Sequence, residues 1–145
     1  MGNLKIAIGS DHGGFKLKEK IIEYLKDKKF EIEDFGTFSE ESCDYPKIAK
    51  KVSVGVASKN FDRGILVCGT GIGMSIVANR VKGIRAALCS DTFSAKMTRA
   101  HNDSNILCLG QRVIEEELAL EIVEIWLSSE FEGGRHKNRI DMIED

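Results

Sequence analysis

Apolar and polar positions fall into two kinds of block along this chain. Leu4 to Gly9 is a short apolar-rich run of strand length, and Glu31 to Phe35 alternates as a half-buried strand does. Gly64 to Val67 is apolar throughout, the mark of a strand covered on both faces. Ile84 to Cys89 and Asn105 to Leu109 predict a fourth and a fifth strand. Between these runs the spacing becomes helical. Leu17, Ile21, Tyr24 and Leu25 share one helical face, as do Ile48, Val52 and Val56, and later Leu118, Ile122, Ile125 and Trp126. Ser10 to Gly14 predicts a turn, and Gly36 to Tyr45 a loop. Pro46 suits the first turn of the second helix. A third helix is predicted from Ile72 to about Val81. Asp91 predicts the N-cap of a fourth, ending near His101 and Asn102. Glu115, Glu116 and Glu117 suit the N-terminus of the fifth. A basic tail, Arg135-His136-Lys137-Asn138-Arg139, leads into a short last helix.

Strands alternating with helices predict an α/β fold: three layers, with a doubly wound five-stranded parallel sheet of Rossmann-like type. Residues 1–145 are expected to form a single domain with a C-terminal helical tail, since no linker, repeat or low-complexity tract interrupts them. Ligands of such sheets bind at the carboxyl ends of the strands. Those ends offer Asp11-His12, Cys68 with a glycine turn, Ser90-Asp91 and Gln111-Arg112. The helix after the fourth strand runs back down the sheet, so His101 and Asn102 fall at the opposite rim. Arg135 and Arg139 also start far from Cys68. A site that used all of these groups would draw on two subunits.

The richest stretch is Arg63 to Ser75, a buried strand that ends in Cys68-Gly69-Thr70-Gly71-Ile72-Gly73 and opens a helix. Free amides of a helix's first turn and the helix dipole favour negative charge there. Glycine allows close approach of a ligand. A thiol beside such donors can have its pKa lowered toward neutrality. A P-loop would need Lys-Ser/Thr after the last glycine, where Met74-Ser75 stands. A dinucleotide fingerprint would need glycine at position 74, and it belongs to the first strand-helix unit rather than the third. Asp91 lies at about the right distance for its acid but follows a later strand. The reading that remains is a base beside an oxyanion hole. The competing plain reading, a tight turn with a structural cysteine, is weakened by three alternate glycines.

Composition narrows the partners. The net charge of -2 at pH 7 with no basic block argues against nucleic acid. No apolar run is long enough to span a membrane, and the chain enters a strand with no signal peptide ahead of it. Cys43, Cys68, Cys89 and Cys108 form no CxxC pair, so neither disulfides nor a zinc site is expected, and a cytoplasmic location is. Arg135 and Arg139 are four apart, which suits forked donation to a phosphate. Singly, Asp11, His12, Arg112, His101 and the two tail arginines read as turn, surface or cap residues. Jointly, a thiol, an oxyanion turn, imidazoles and arginines point to an enzyme acting on a small phosphorylated carbonyl compound.

The motifs Ser10-Asp11-His12-Gly13-Gly14-Phe15, Asp44-Tyr45-Pro46, Cys68-Gly69-Thr70-Gly71-Ile72-Gly73, Gly83-Ile84-Arg85-Ala86, His101-Asn102-Asp103 and Glu132-Gly133-Gly134-Arg135-His136 span nearly the whole chain. On them the chain resembles the type B ribose-5-phosphate isomerases, a family shared with galactose-6-phosphate isomerase. The resemblance implies a flavodoxin-like sheet, aldose–ketose isomerisation without metal or other cofactor, and a homodimer with shared sites, with a dimer of dimers left open. It implies that His101, helped by Asp11, opens the furanose ring. Cys68 then moves a proton between C2 and C1. The amides of Gly69 to Gly73, including those of Thr70, Gly71 and Ile72, and the Asn102 side chain hold the enediolate. Thr70 moves a proton between substrate oxygens, Tyr45 lines the substrate, and His12, Arg112, Arg135 and Arg139 hold the phosphate. Two alternatives stay open: a six-carbon substrate such as allose or galactose 6-phosphate, and a non-catalytic nucleotide-binding module.

Overall fold

The computed structural model of the protein describes residues 4–144. In chain order the elements are β1 (Lys5–Ser10), a 3-10 turn (His12–Gly14), α1 (Phe15–Asp27), β2 (Glu31–Asp34), α2 (Tyr45–Ala57), β3 (Arg63–Cys68), α3 (Ile72–Ala78), β4 (Ala86–Leu88), α4 (Thr92–Asn102), β5 (Ile106–Gly110), α5 (Glu116–Ser128) and α6 (Arg135–Ile140). The five strands form one sheet in the order β2-β1-β3-β5-β4, and every pairing is parallel. The flavodoxin order is 2-1-3-4-5; here the last two strands exchange places, so the short β4 takes the edge.

That order decides which helix covers which face. Parallel crossovers are right-handed, so the direction of each move along the sheet sets its side. The leftward moves, β1 to β2 and β4 to β5, carry α1 and α4, which pack with α5 against Ile6, Ile8, Ile65, Val67, Leu107 and Leu109. The rightward moves, β2 to β3 and β3 to β4, carry α2 and α3 against Ala7, Leu66, Cys68, Ile106 and Cys108. The chain leaves β1 toward one face and β3 toward the other, which opens a crevice between their carboxyl ends.

Element ends differ from the sequence reading for local reasons. α3 stops at Ala78 rather than near Val81, because the Asn79 side chain turns to the backbone of Ala86, accepting from its N–H at 2.8 Å and donating to its carbonyl at 3.0 Å. β4 is correspondingly shorter than Ile84 to Cys89. The buried stripe of α5 is Ala119, Ile122, Val123, Trp126 and Leu127, and Leu118 and Ile125 are only partly covered. This helix is apolar around much of its circumference, so periodicity alone leaves its rotation loose. The Asp91 cap of α4 forms as expected, its carboxylate accepting from Ser94 N–H at 2.6 Å.

Candidate functional site

Three turns meet at the carboxyl ends of β1, β3 and β5. The turn after β1 is bound to β3 by Asp11 N–H donating to the Val67 carbonyl, and Asp11 Oδ1 accepts from Gly13 N–H at 2.9 Å. Gly14 is needed there, since a Cβ would sit 2.5 Å from the carbonyl carbon and oxygen of Val67. The turn after β5 is tied to the same strand end, with Gln111 N–H donating to the Cys68 carbonyl and Arg112 N–H to that of Gly69. The Gln111 side chain also accepts from Leu17 N–H in the first turn of α1, at 2.9 Å.

Between these turns lies a depression of about 470 Å³ lined by Asp11, Tyr45, Cys68, Gly69, Thr70, Ile72, Gly73, Ile76 and Arg112. Cys68 is 6% exposed, and its sulfur accepts the Gly71 N–H at 3.0 Å. Gly71 holds φ of 81°, the left-handed conformation that swings its amide back to the thiol and starts α3. Thr70 Oγ1 accepts from Ile72 N–H at 3.2 Å, so its own proton remains to be donated. The Tyr45 ring lies against Gly73, where a Cβ would come within 2.7 Å of it. His12 Nδ1 accepts from Cys43 N–H at 3.3 Å, which leaves the proton of a neutral ring on Nε2.

The other sulfurs differ in kind. Burial, with Asp91 nearby, pushes the Cys89 thiol up to about 11, and burial raises that of Cys108 further. Neither has ready access to a thiolate. Cys43, by contrast, is half-buried.

His101, Asn102, Arg135 and Arg139 lie elsewhere. The Asn105 carbonyl accepts from Gly64 N–H near the start of β3 at 2.9 Å, and Cys68 lies four residues on, about 13 Å along the strand. The end of α4 is therefore at the amino rim. Arg85 secures it by donating to the carbonyls of Asn102 at 2.9 Å and Asp103 at 3.0 Å, a cation satisfying a helix C-terminus. Asn102 lines a hollow of about 600 Å³ with Arg80, Lys82 and Arg85. α6 packs against α4, and both of its arginines are exposed. Within one chain the predicted residues thus form two half-sites at opposite rims.

Two residues at the amino rim stand outside the expected site set. The His136 ring stacks on His101 with centroids 4.2 Å apart, and Glu132 faces both. The spacing of four between Glu132 and His136 was a signal available in the sequence, but the partner imidazole comes from α4. The donor atoms of these three residues lie within 4.8 Å of one another, as a metal site requires. Their geometry does not favour one. An imidazole binds an ion in its own ring plane, and two planes only 11° apart do not converge on a common point.

No helix among the described residues is long and apolar enough to cross a membrane. Residues 6–143 match the family model described as Ribose/Galactose Isomerase. The chain is 50% identical to ribose-5-phosphate isomerase B of Escherichia coli, over 96% of this chain and 93% of the relative. Among solved structures, ribose-5-phosphate isomerase B of Clostridium thermocellum superposes with a TM-score of 0.96 at 54% identity, covering 97% and 95% of the two chains. That of Mycoplasma genitalium, solved with bound ribulose-5-phosphate, does so with a TM-score of 0.92 at 42% identity, covering 96% and 93%. By sequence over nearly its whole length, and by fold, this chain belongs to the ribose/galactose isomerase family.

Proposed function

We propose that this protein interconverts ribose 5-phosphate and ribulose 5-phosphate, through ring opening and an enediolate, in a homodimer whose sites are shared. One observation carries the reading: the Cys68 sulfur sits in the crevice beside β1 and accepts a backbone amide from the turn that opens α3. A thiolate held there is placed among N–H groups that suit a developing oxyanion. Family membership and the relatives' named activities support the same chemistry.

The reaction runs in two stages. His101, helped by Asp11, takes the proton of the anomeric hydroxyl; the C1 carbonyl forms, the bond from C1 to the ring oxygen breaks, and the proton goes to that oxygen. Cys68 then takes the proton from C2 and returns it to C1, leaving the carbonyl at C2. The amides of Gly69, Thr70, Gly71, Ile72 and Gly73 and the Asn102 side chain surround the enediolate, and removal of one such donor typically costs ~3 kcal/mol of barrier. Gly71 N–H is shared with the sulfur in the resting chain and turns to the oxyanion as Cys68 takes the proton. Thr70 passes a proton between the substrate oxygens. Tyr45 closes one side of the depression, and His12, Arg112, Arg135 and Arg139 take the phosphate, whose binding orients the reacting carbons.

Sharing between subunits follows from the two half-sites. Each chain carries Asp11 and Cys68 at one rim and His101, Asn102 and the tail arginines at the other. Ile72, Ile76, Leu88, Phe93 and Val113 are exposed apolar residues on elements at or beside the carboxyl rim, a surface fit for a second copy. The four free cysteines suit a reducing cytoplasm.

The test is turnover after chelator treatment on ribose 5-phosphate, allose 6-phosphate and galactose 6-phosphate, with Cys68→Ala as control. The pentose is expected to be the best substrate, and Cys68→Ala to abolish turnover. A hexose phosphate turned over faster would move the assignment to six-carbon sugars. Activity intact in Cys68→Ala would overturn the base, and nucleotide affinity without turnover would return the chain to the binding-module reading.

A further inference from the structure

We propose that Glu132 and His136 are positioning residues for His101, holding its ring in the orientation from which it moves the ring-opening proton; this rests on the role of His101 given above. His101 lies one residue before the end of α4, and its side chain is 41% exposed. An imidazole so placed would ordinarily sample several rotamers, and each lost well has an entropic cost. Here the ring is restrained on two sides. The ring of His136, whose side chain is itself 10% exposed, lies parallel to it within 11° at 4.2 Å between centroids. Glu132 Oε1 lies 3.4 Å from His136 Nε2 and 3.9 Å from His101 Nε2.

The backbone sets this arrangement up. Glu132 N–H donates to the carbonyl of Ala100, the residue before His101, at 3.0 Å. Gly133 and Gly134 then turn at positive φ, 71° and 57°, and no Cβ at either would meet a neighbour within 4 Å. The glycines therefore serve the turn itself, which puts His136 over His101 within four residues of Glu132. The nearly parallel rings suit stacking on an oriented base and not a shared metal ion. The positive charge that His101 takes up with the hydroxyl proton meets the Glu132 carboxylate within 4 Å.

The test exploits a difference between the two sugars. Ribose 5-phosphate is mostly a closed furanose, whereas ribulose 5-phosphate has no free hydroxyl placed to close a five-membered ring. Deuterium exchange from solvent into C1 of ribulose 5-phosphate therefore needs the Cys68 step but no ring opening. The variants are Glu132→Gln, His136→Ala and His136→Phe, with His101→Ala as reference. In Glu132→Gln and His136→Ala, kcat on ribose 5-phosphate should fall about tenfold to a hundredfold, as for a misplaced catalytic group. KM and the C1 exchange rate should stay at their wild-type values. His136→Phe, which keeps a flat ring to stack on, should recover much of what His136→Ala loses. The His101 ring ¹⁵N signals should show a changed tautomer balance in Glu132→Gln. Exchange falling in step with turnover would mean general structural damage and would overturn the proposal, as would full turnover in both variants while His101→Ala is impaired. Full turnover in His101→Ala would overturn the role of His101 and the proposal with it.

Discussion

Cys68 differs from its neighbouring thiols only in surroundings, and chemistry at the scale of single residues follows from that. It opens onto the depression shared with Asp11, Thr70 and Arg112 and accepts an amide, whereas Cys108 is wholly buried and Cys89 nearly so. Cys68→Ser exchanges the thiol for a far weaker acid of similar size. It should lower kcat at least about a hundredfold, the usual worth of a positioned base, with KM little changed in steady-state assays. Cys89 should report through stability instead. Its thiol titrates near 11 in the folded chain, above the ordinary value near 9. The folded state therefore holds that proton more tightly than the unfolded state does. Stability is intact below about pH 9 and declines as pH rises toward 11, a loss to which buried Cys108 adds with the same sign. Urea denaturation across this range should show a shallower decline for Cys89→Ala. Glycine 14 illustrates a requirement seen only in space. In sequence it is one member of a turn, yet a Cβ there meets backbone atoms of Val67 at 2.5 Å that cannot yield. Gly14→Ala should cost about 1–3 kcal/mol in urea denaturation, the usual range for overpacking.

At the scale of elements, the loop between β2 and α2 is held by a buried lysine and its partly exposed carboxylate partner. Lys18 on α1 has a fully buried side chain, and its ammonium lies 2.8 and 2.7 Å from the two oxygens of Asp34 at the end of β2. Phe15 and Phe38 place their rings about the same ammonium. Asp34 also accepts from Gly36 N–H, so the pair fixes the start of the loop that brings Cys43 to His12. Asp34→Asn would leave the buried ammonium only the half-exposed Glu19 carboxylate, 3.3 Å away, and should cost about 1–3 kcal/mol in urea denaturation. Periodicity shows Lys18 beside an apolar stripe but not that it is covered, because the covering ring of Phe38 belongs to a loop. The helices themselves were largely legible, since caps such as Asp91 and apolar spacing act within a few residues. The end of α3 was not, because Asn79 stops it through a contact with Ala86 in the next strand.

At the scale of the molecule, the two rims of the sheet decide how many chains make one site. Mixing inactive Cys68→Ala chains with inactive His101→Ala chains should restore activity in mixed dimers, because one of the two sites then holds both wild-type groups. The expected recovery is about a quarter of wild-type activity for equal, fully exchanged chains, since half of the dimers are mixed and each has one intact site. No recovery with subunit exchange confirmed would exclude shared sites. A charge placed in the exposed apolar surface away from the depression, Phe93→Arg, should shift the sedimentation coefficient to that of a monomer and remove activity together with it.

The amino-acid order by itself determined the alternation of strands and helices, the parallel sheet, and the turn that sets Cys68 beside glycine amides. These depend on hydrophobic period, capping and glycine spacing, all of which act over a few residues. Only the tertiary structure decided the exchange of β4 and β5 and the meeting of His101 with Glu132 and His136. Such features depend on which surfaces far apart in the chain bury one another, and no local pattern of residues encodes that choice.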